Sequence, residues 1–319
     1  MAFLNKRTFR RKVLLLLLYI TGISTAWNLS MSFGFYLQNI ECGCGKRLEQ
    51  DHPWFMQRFQ KNITPLLTSN YTLSQEAFNW WKKVQGEKRD IMFFKQTTQK
   101  IFELFPAFPP VPEPGLDGCR TCAVVGNSGT LKRSHYGKLI DHHTSVIRIN
   151  YGKTKGFEQD VGRRTTHRVM YPESSSGLDN STHLVLFPFR IKDLEWLVGA
   201  FTTDIDMKSS KSNKKMSAAN KNLVMVLNPA FMKYVHQSWL QGKGYYPSTG
   251  FMTVILALHI CDEVSVFGFG ADSDGNWSHY WEVLRNKNLK TGAHPGSVEY
   301  DIILELDKRG KLDFYRGFL

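Results

Sequence analysis

Short apolar, β-branched runs alternate with stretches of helical periodicity over most of the chain. Runs at residues 123–125, 146–149, 168–171, 184–187, 223–227 and 264–267 predict buried strands, being brief and bounded by turn residues. Helical spacing predicts helices at 75–83, with Phe78, Trp81 and Val84 on one face, and at 98–105, 193–201, 231–240, 250–259 and 297–308. Alternation of this kind predicts an α/β fold built on a mainly parallel, twisted sheet flanked by helices. Ligands of such sheets bind beyond the carboxyl ends of the strands.

The N-terminus departs from this pattern. Lys6, Arg7, Arg10, Arg11 and Lys12 precede a stretch from 13 to 40 with no charged residue, almost wholly apolar over its first eight positions. About 20 such residues cross a bilayer, and basic residues hold their own side in the cytoplasm. Ser24-Thr-Ala26 offers small residues of the kind a signal peptidase cuts, but the uncharged run continues through Trp27, Phe33, Phe35 and Tyr36, which favours an uncleaved anchor. The expected organisation is a cytoplasmic tail at 1–12, a transmembrane signal-anchor at 13–36, a stem at 37–60 and a single lumenal domain at 61–319.

The formal net charge of +13 is concentrated in that tail and in Lys208, Lys211, Lys214, Lys215 and Lys221. Apart from Phe9 neither cluster has an aromatic partner, so nucleic-acid binding is not expected. In an oxidising lumen Cys42, Cys44, Cys119, Cys122 and Cys261 read as structural disulfides with one thiol over, rather than as a zinc or redox site. Asn62, Asn70 and Asn180 open glycosylation triplets; Asn276-Trp-Ser278 lies beside a candidate site segment and reads as coincidental.

Two glycine-containing turns follow predicted strands. Val124-Val-Gly-Asn-Ser-Gly129 presents backbone N–H groups and the bidentate amide of Asn127, but it matches neither Gly-x-Gly-x-x-Gly nor a P-loop. Ser248-Thr249-Gly250 reads as a helix N-cap, and that helix end favours an anion. Asp204-Ile-Asp206 and Asp272-Ser-Asp274 have the form of a divalent-ion motif, and Asp141-His142-His143 lacks helical ligand spacing and reads as a solvated turn.

Four strings in order resemble the motifs of the animal sialyltransferases, the family 29 glycosyltransferases. They are Cys122-Ala-Val-Val-Gly-Asn-Ser-Gly129 on to Arg148-Ile-Asn150 and Asp160-Val-Gly162, Tyr246-Pro-Ser-Thr-Gly250 on to Cys261-Asp-Glu-Val264, His279-Tyr-Trp-Glu282, and His294-x4-Glu299. Trp80-Trp81, Tyr171-Pro-Glu173, Asp193-Leu-Glu-Trp196, Trp239-Leu-Gln-Gly242 and Gly268-Phe-Gly-Ala-Asp272 are most similar to the β-galactoside α-2,3-sialyltransferases that act on Galβ1-3GalNAc O-glycans.

The resemblance implies a Rossmann-like, GT-A-type variant of the sheet and a Golgi type II membrane protein. It implies inverting transfer from CMP-sialic acid to galactose-terminated glycans, with no cofactor and no metal. His294 would be the base, kept neutral by the positive end of the following helix, and His279 would face the departing phosphate. Glu299 would support the turn or serve as an ordinary first-turn carboxylate.

Asn127, Asn150, Ser248, Thr249, Gly250 and Gly270 match donor-binding positions, while Gln85 and Tyr246 match acceptor-binding ones. Cys122 would pair with Cys261 and Cys44 with Cys119, leaving Cys42 without its usual partner. A homodimer, and secretion after stem cleavage, stay open.

Residues 207–222 hold no aromatic residue where relatives carry a tyrosine near the acceptor, which bears on acceptor choice more than on catalysis. The rival readings are a sialyltransferase of the same fold with another galactoside acceptor and a non-catalytic lumenal glycan-binding protein. Intact His279, His294, Asn127 and Asn150 speak against the second.

Overall fold

The computed structural model describes residues 52–110, 112–116, 118–202, 218–271, 275–282 and 292–317. The expected tail, membrane anchor and most of the stem lie outside these residues, as do both Asp-x-Asp strings and most of the lysine-rich segment.

Strands β1 (Thr121–Val125), β2 (Ser145–Ile149), β3 (His167–Met170), β4 (His183–Leu186), β5 (Val224–Val226), β6 (Glu263–Phe267) and β7 (Asp313–Tyr315) form one sheet in the order β5-β4-β3-β2-β1-β6-β7. Every pairing is parallel, with Val124 opposite Ile147 on one side and Val266 on the other. Parallel sheets are covered on both faces, so their central strands are continuous apolar runs. All five residues of β2 are buried, and so are the last four of β1.

The helices are α1 (Pro53–Met56), α2 (Gln75–Val84), α3 (Ile91–Leu104), α4 (Gly137–His142), α5 (Glu158–Val161), α6 (Ile191–Thr202), α7 (Pro229–Tyr234), α8 (Thr249–Ile260) and α9 (Gly296–Lys308). Helix α8 is apolar all round because it is buried all round, with every residue from Phe251 to Leu258 in the core. It packs across β1, β2, β3 and β6. Its last turn is tied to the sheet by the Cys122–Cys261 disulfide, with Cα atoms 6.0 Å apart. Cys119 is also disulfide-bonded, and its expected partner Cys44 lies outside the described residues.

Several elements differ from the sequence reading. Helix α3 starts at Ile91, seven residues before the predicted 98, because the Asp90 carboxylate accepts the Met92 and Phe93 N–H groups at 2.9 and 3.1 Å. The predicted helix 231–240 is α7 followed by a π turn at Val235–Trp239. Asp141-His142-His143 is not a solvated turn: it closes α4, and Asp141 accepts the Arg163 and Arg164 N–H groups. Within the stretch read as stem, α1 buries Phe55 completely beside Trp239. Asn62, Asn70 and Asn180 are exposed, whereas Asn276 is buried.

Candidate active site

After β5 the chain returns to place β6 on the far side of β1, so the strand order reverses between β1 and β6. Loops diverge at such a point and leave a crevice at the strands' carboxyl ends. Gly126 and Gly268 follow these two strands, and the Gly126 and Ser128 N–H groups donate to the Phe267 and Gly268 carbonyls at 2.8 and 3.0 Å. A Cβ on Gly126 would stand 2.3 Å from the Gly268 oxygen, so glycine is required for this approach. Above it lies a cavity of about 610 Å³, lined by every residue named above as catalytic, donor-binding or acceptor-binding.

Among the residues expected to bind the donor, the two ends of the Asn127 amide have different surroundings rather than forming a bidentate pair. Its Nδ2 donates to the Ile149 carbonyl at 3.1 Å, while buried Oδ1 has no hydrogen-bond partner among the described residues. Asn150 adopts a left-handed conformation, φ 52°, which asparagine tolerates better than most residues. Its Oδ1 accepts the Ser174 hydroxyl at 2.8 Å. Helix α8 points its first turn into the cavity: the Ser248 hydroxyl accepts the Phe251 N–H at 3.1 Å and donates to Glu299 at 2.6 Å. Thr249 and Gly250, the next two positions, line the cavity, and N–H groups of a first turn have no partner within the helix. This end suits an anion.

Also lining the cavity, Gln85 caps α2 and its amide donates to the Tyr246 hydroxyl at 2.8 Å. The two expected acceptor residues thus meet, 161 positions apart in the chain. Trp81 anchors this helix by donating from Nε1 to the Pro188 carbonyl at 2.8 Å.

The two histidines occupy contrasting surroundings. His294 packs edge-on to Tyr246, and its Nδ1 donates to the Tyr246 carbonyl at 3.2 Å. That tautomer leaves the neutral ring's lone pair on Nε2. Burial pushes the His294 pKa down, against the opposing pull of that carbonyl. Burial is thus a cause of neutrality at His294, beside the helix end expected from sequence, since α9 begins two residues further on.

His279 is open to solvent, its side chain 43% exposed. It stacks on Trp281 with ring centroids 4.7 Å apart, and its Nδ1 donates to Glu282 at 2.8 Å. Burial pushes Glu282 up, but the hydrogen bonds from the His279 ring and N–H outweigh this and hold it below the usual carboxylate range. A ring backed by a carboxylate suits proton donation; a buried ring donating to a carbonyl suits proton acceptance.

Sequence reasoning gave no site role to other lining residues, among them Tyr171, Glu173 and Asp193, noted only for their resemblance to the family, and Arg190 and Tyr300, not noted at all. Arg190, the one Lys or Arg among the described lining residues, reaches Glu173 at 2.5 Å and Asp193 at 3.3 Å. Its signal was positional: it lies just past the carboxyl end of β4, where site residues of such sheets collect.

Residues 66–311 match the family model described as glycosyltransferase family 29 (sialyltransferase). The Mus musculus protein named CMP-N-acetylneuraminate-beta-galactosamide-alpha-2,3-sialyltransferase 1 is 41% identical over 310 residues, covering 93% of this chain and 92% of the mouse protein. The Sus scrofa protein of the same name is 38% identical over 343 residues, covering 99% of this chain and 100% of its own length. A crystal structure described as a mammalian sialyltransferase in complex with Gal-beta-1-3GalNAc-ortho-nitrophenol matches with a TM-score of 0.75 at 41% identity, over 85% of this chain and 97% of that one. With a family model spanning most of its length and relatives of this identity, the chain belongs to glycosyltransferase family 29, the sialyltransferases.

Proposed function

We propose that this protein transfers sialic acid from CMP-sialic acid to the 3-hydroxyl of terminal galactose, preferring Galβ1-3GalNAc on O-linked glycoproteins. The observation that carries this reading is the placement of His294 and His279 on one cavity with the open N-terminus of α8. The names of the mouse and pig relatives, alpha-2,3-sialyltransferases of β-galactosamides, support the linkage.

His294 Nε2 takes the proton of the acceptor hydroxyl as its oxygen attacks the anomeric carbon from the face opposite the phosphate. The bond from that carbon to the phosphate oxygen breaks, CMP leaves, and configuration inverts through an oxocarbenium-like state. His279, held by Glu282, donates to the departing phosphate, whose charge also faces the first turn of α8. Asn127 and Asn150 hold the nucleotide, with Gly270 beside it, and Gln85 and Tyr246 orient the galactose. The donor carries one phosphate, so there is no diphosphate for a divalent ion to bridge, and transfer proceeds without a metal.

The same reading makes residues 1–12 cytoplasmic, 13–36 a Golgi signal-anchor, 37–60 a stem and 61–319 lumenal, with Asn62, Asn70 and Asn180 as glycan acceptors. The second bridge is Cys44–Cys119.

Replacing His294→Ala tests the assignment: transfer falls by at least about 10²-fold, the lower range for a lost general base, while CMP binding and folding persist. A folded His294→Ala protein with wild-type turnover would contradict it.

A further inference from the structure

We propose that Glu299 is a proton-linked positioning residue: it holds the Ser248 cap of α8 and takes up a proton when the donor's phosphate docks at that helix end. This rests on the donor reading above and adds to it a partner for the donor's charge.

Ser248 and Glu299 are 51 residues apart, yet the carboxyl accepts both the Ser248 N–H, at 2.7 Å, and its hydroxyl, at 2.6 Å. Glu299 is 6% exposed and lines the cavity. Its own helix, α9, begins two residues after His294, and the His294 ring returns to the Tyr246 carbonyl. Two links thus stitch the segment carrying the base to the segment that holds the anion.

The carboxyl lies one residue from the first turn of α8, where an anion is stabilised by the unpaired N–H groups. A docked phosphate places a second negative charge at the same end. Two like charges in one partly dry site disfavour each other's ionisation, so the group that can accept a proton does so. Glu299 is already poised for this: burial, opposed by the two Ser248 hydrogen bonds, pushes it up to about 7.

No acidic residue occupies the first turn of α8. On α9, Tyr300 lines the same cavity, whereas Asp301 and Glu305 line a separate pocket with Trp54 and Arg58. The remaining titratable groups of the cavity are His294, Tyr246, His279, Tyr171 and the Glu173, Arg190 and Asp193 cluster. None of these hydrogen-bonds to Glu299 or enters the balance that sets its proton affinity.

Calorimetric titration of the full-length protein with CMP at pH 7, in two buffers of different ionisation enthalpy, counts the protons exchanged. The wild type is expected to take up more protons per CMP than Glu299→Gln, by up to about half a proton, because a group with a pKa near 7 is half protonated there. A role confined to shape would leave the two counts equal. Equal counts in two proteins that both bind CMP overturn the proposal alone, while no CMP binding by the wild type overturns the donor reading with it. Infrared difference spectra of the wild type give the same answer without a variant. A protonated-carboxyl band that grows on CMP addition is expected, and its absence overturns the proposal.

Discussion

A histidine serves as a base when its ring is neutral and one ring nitrogen keeps its lone pair, and the surroundings of His294 favour both, in support of the role proposed for it. Donation to the Tyr246 carbonyl sets the tautomer, and burial disfavours the imidazolium. Because its pKa is lowered, the ring stays unprotonated to more acidic pH than an ordinary histidine would. The acidic limb of kcat/KM assigned to His294 is therefore expected below pH ~6.5, the unperturbed value. A pH profile of the wild type checks this, and an acidic limb above that value would contradict the burial argument. The residue types of this site were legible because they stand in contiguous strings. The pairing of Glu299 with Ser248 was not, since only the fold brings α9 and the start of α8 together.

At the level of elements, the turn after α2 shows how buried polar groups register the walls of the cavity. Glu87, 9% exposed, accepts from the Arg89 side chain, at 3.0 Å for Nη2 and Nε, and from the Ile191 N–H at 2.8 Å. It thereby docks the α2 end, which carries Gln85, onto the start of α6. Burial pushes Glu87 up, but Arg89 and the Ile191 N–H outweigh it and bring its pKa down to about 2. A depressed carboxylate contributes stability above its unfolded value of 4.5, lost as pH falls toward 2. Glu87→Gln is expected to cost about 1.5–3 kcal/mol at pH 7, the usual range for hydrogen bonds to a charged group, with the difference from wild type closing under acid. Urea unfolding at pH 7 and pH 3 measures both, and an equal difference at the two values would contradict the assignment.

The same level explains which elements sequence alone could reveal. Strands β1 to β6 coincide with apolar runs because a doubly covered parallel sheet needs apolar residues on both faces. Strand β7 is three residues at the sheet edge, Asp313-Phe314-Tyr315, with only the middle one buried, so it leaves no run to read. The start of α3 was blurred by Met92 and Phe93, apolar yet 54% and 51% exposed, which break the amphipathic period. Asp90 was the better signal there. Helix α4 spans six residues, too few for a period to emerge.

Across the whole molecule, the site stands where the strand order reverses, and a covalent link ties together the far ends of two elements that border it. The Cys122–Cys261 bridge joins residues 139 apart and ties β1, whose exit carries Asn127, to α8, whose start carries Ser248. Removing both sulfurs is expected to cost about 2–5 kcal/mol, the usual range for a native bridge. Thermal unfolding of the double alanine variant checks this; unchanged stability would show that packing of α8 alone holds the two halves.

The most direct test of the account is transfer itself. Full-length protein is incubated with CMP-sialic acid and, separately, Galβ1-3GalNAc, Galβ1-4GlcNAc and asialo-ganglioside acceptors, with and without EDTA. The account predicts α-2,3-sialylation that is greatest on Galβ1-3GalNAc and unaffected by EDTA. Folded, CMP-binding protein that transfers to none of the three would contradict it.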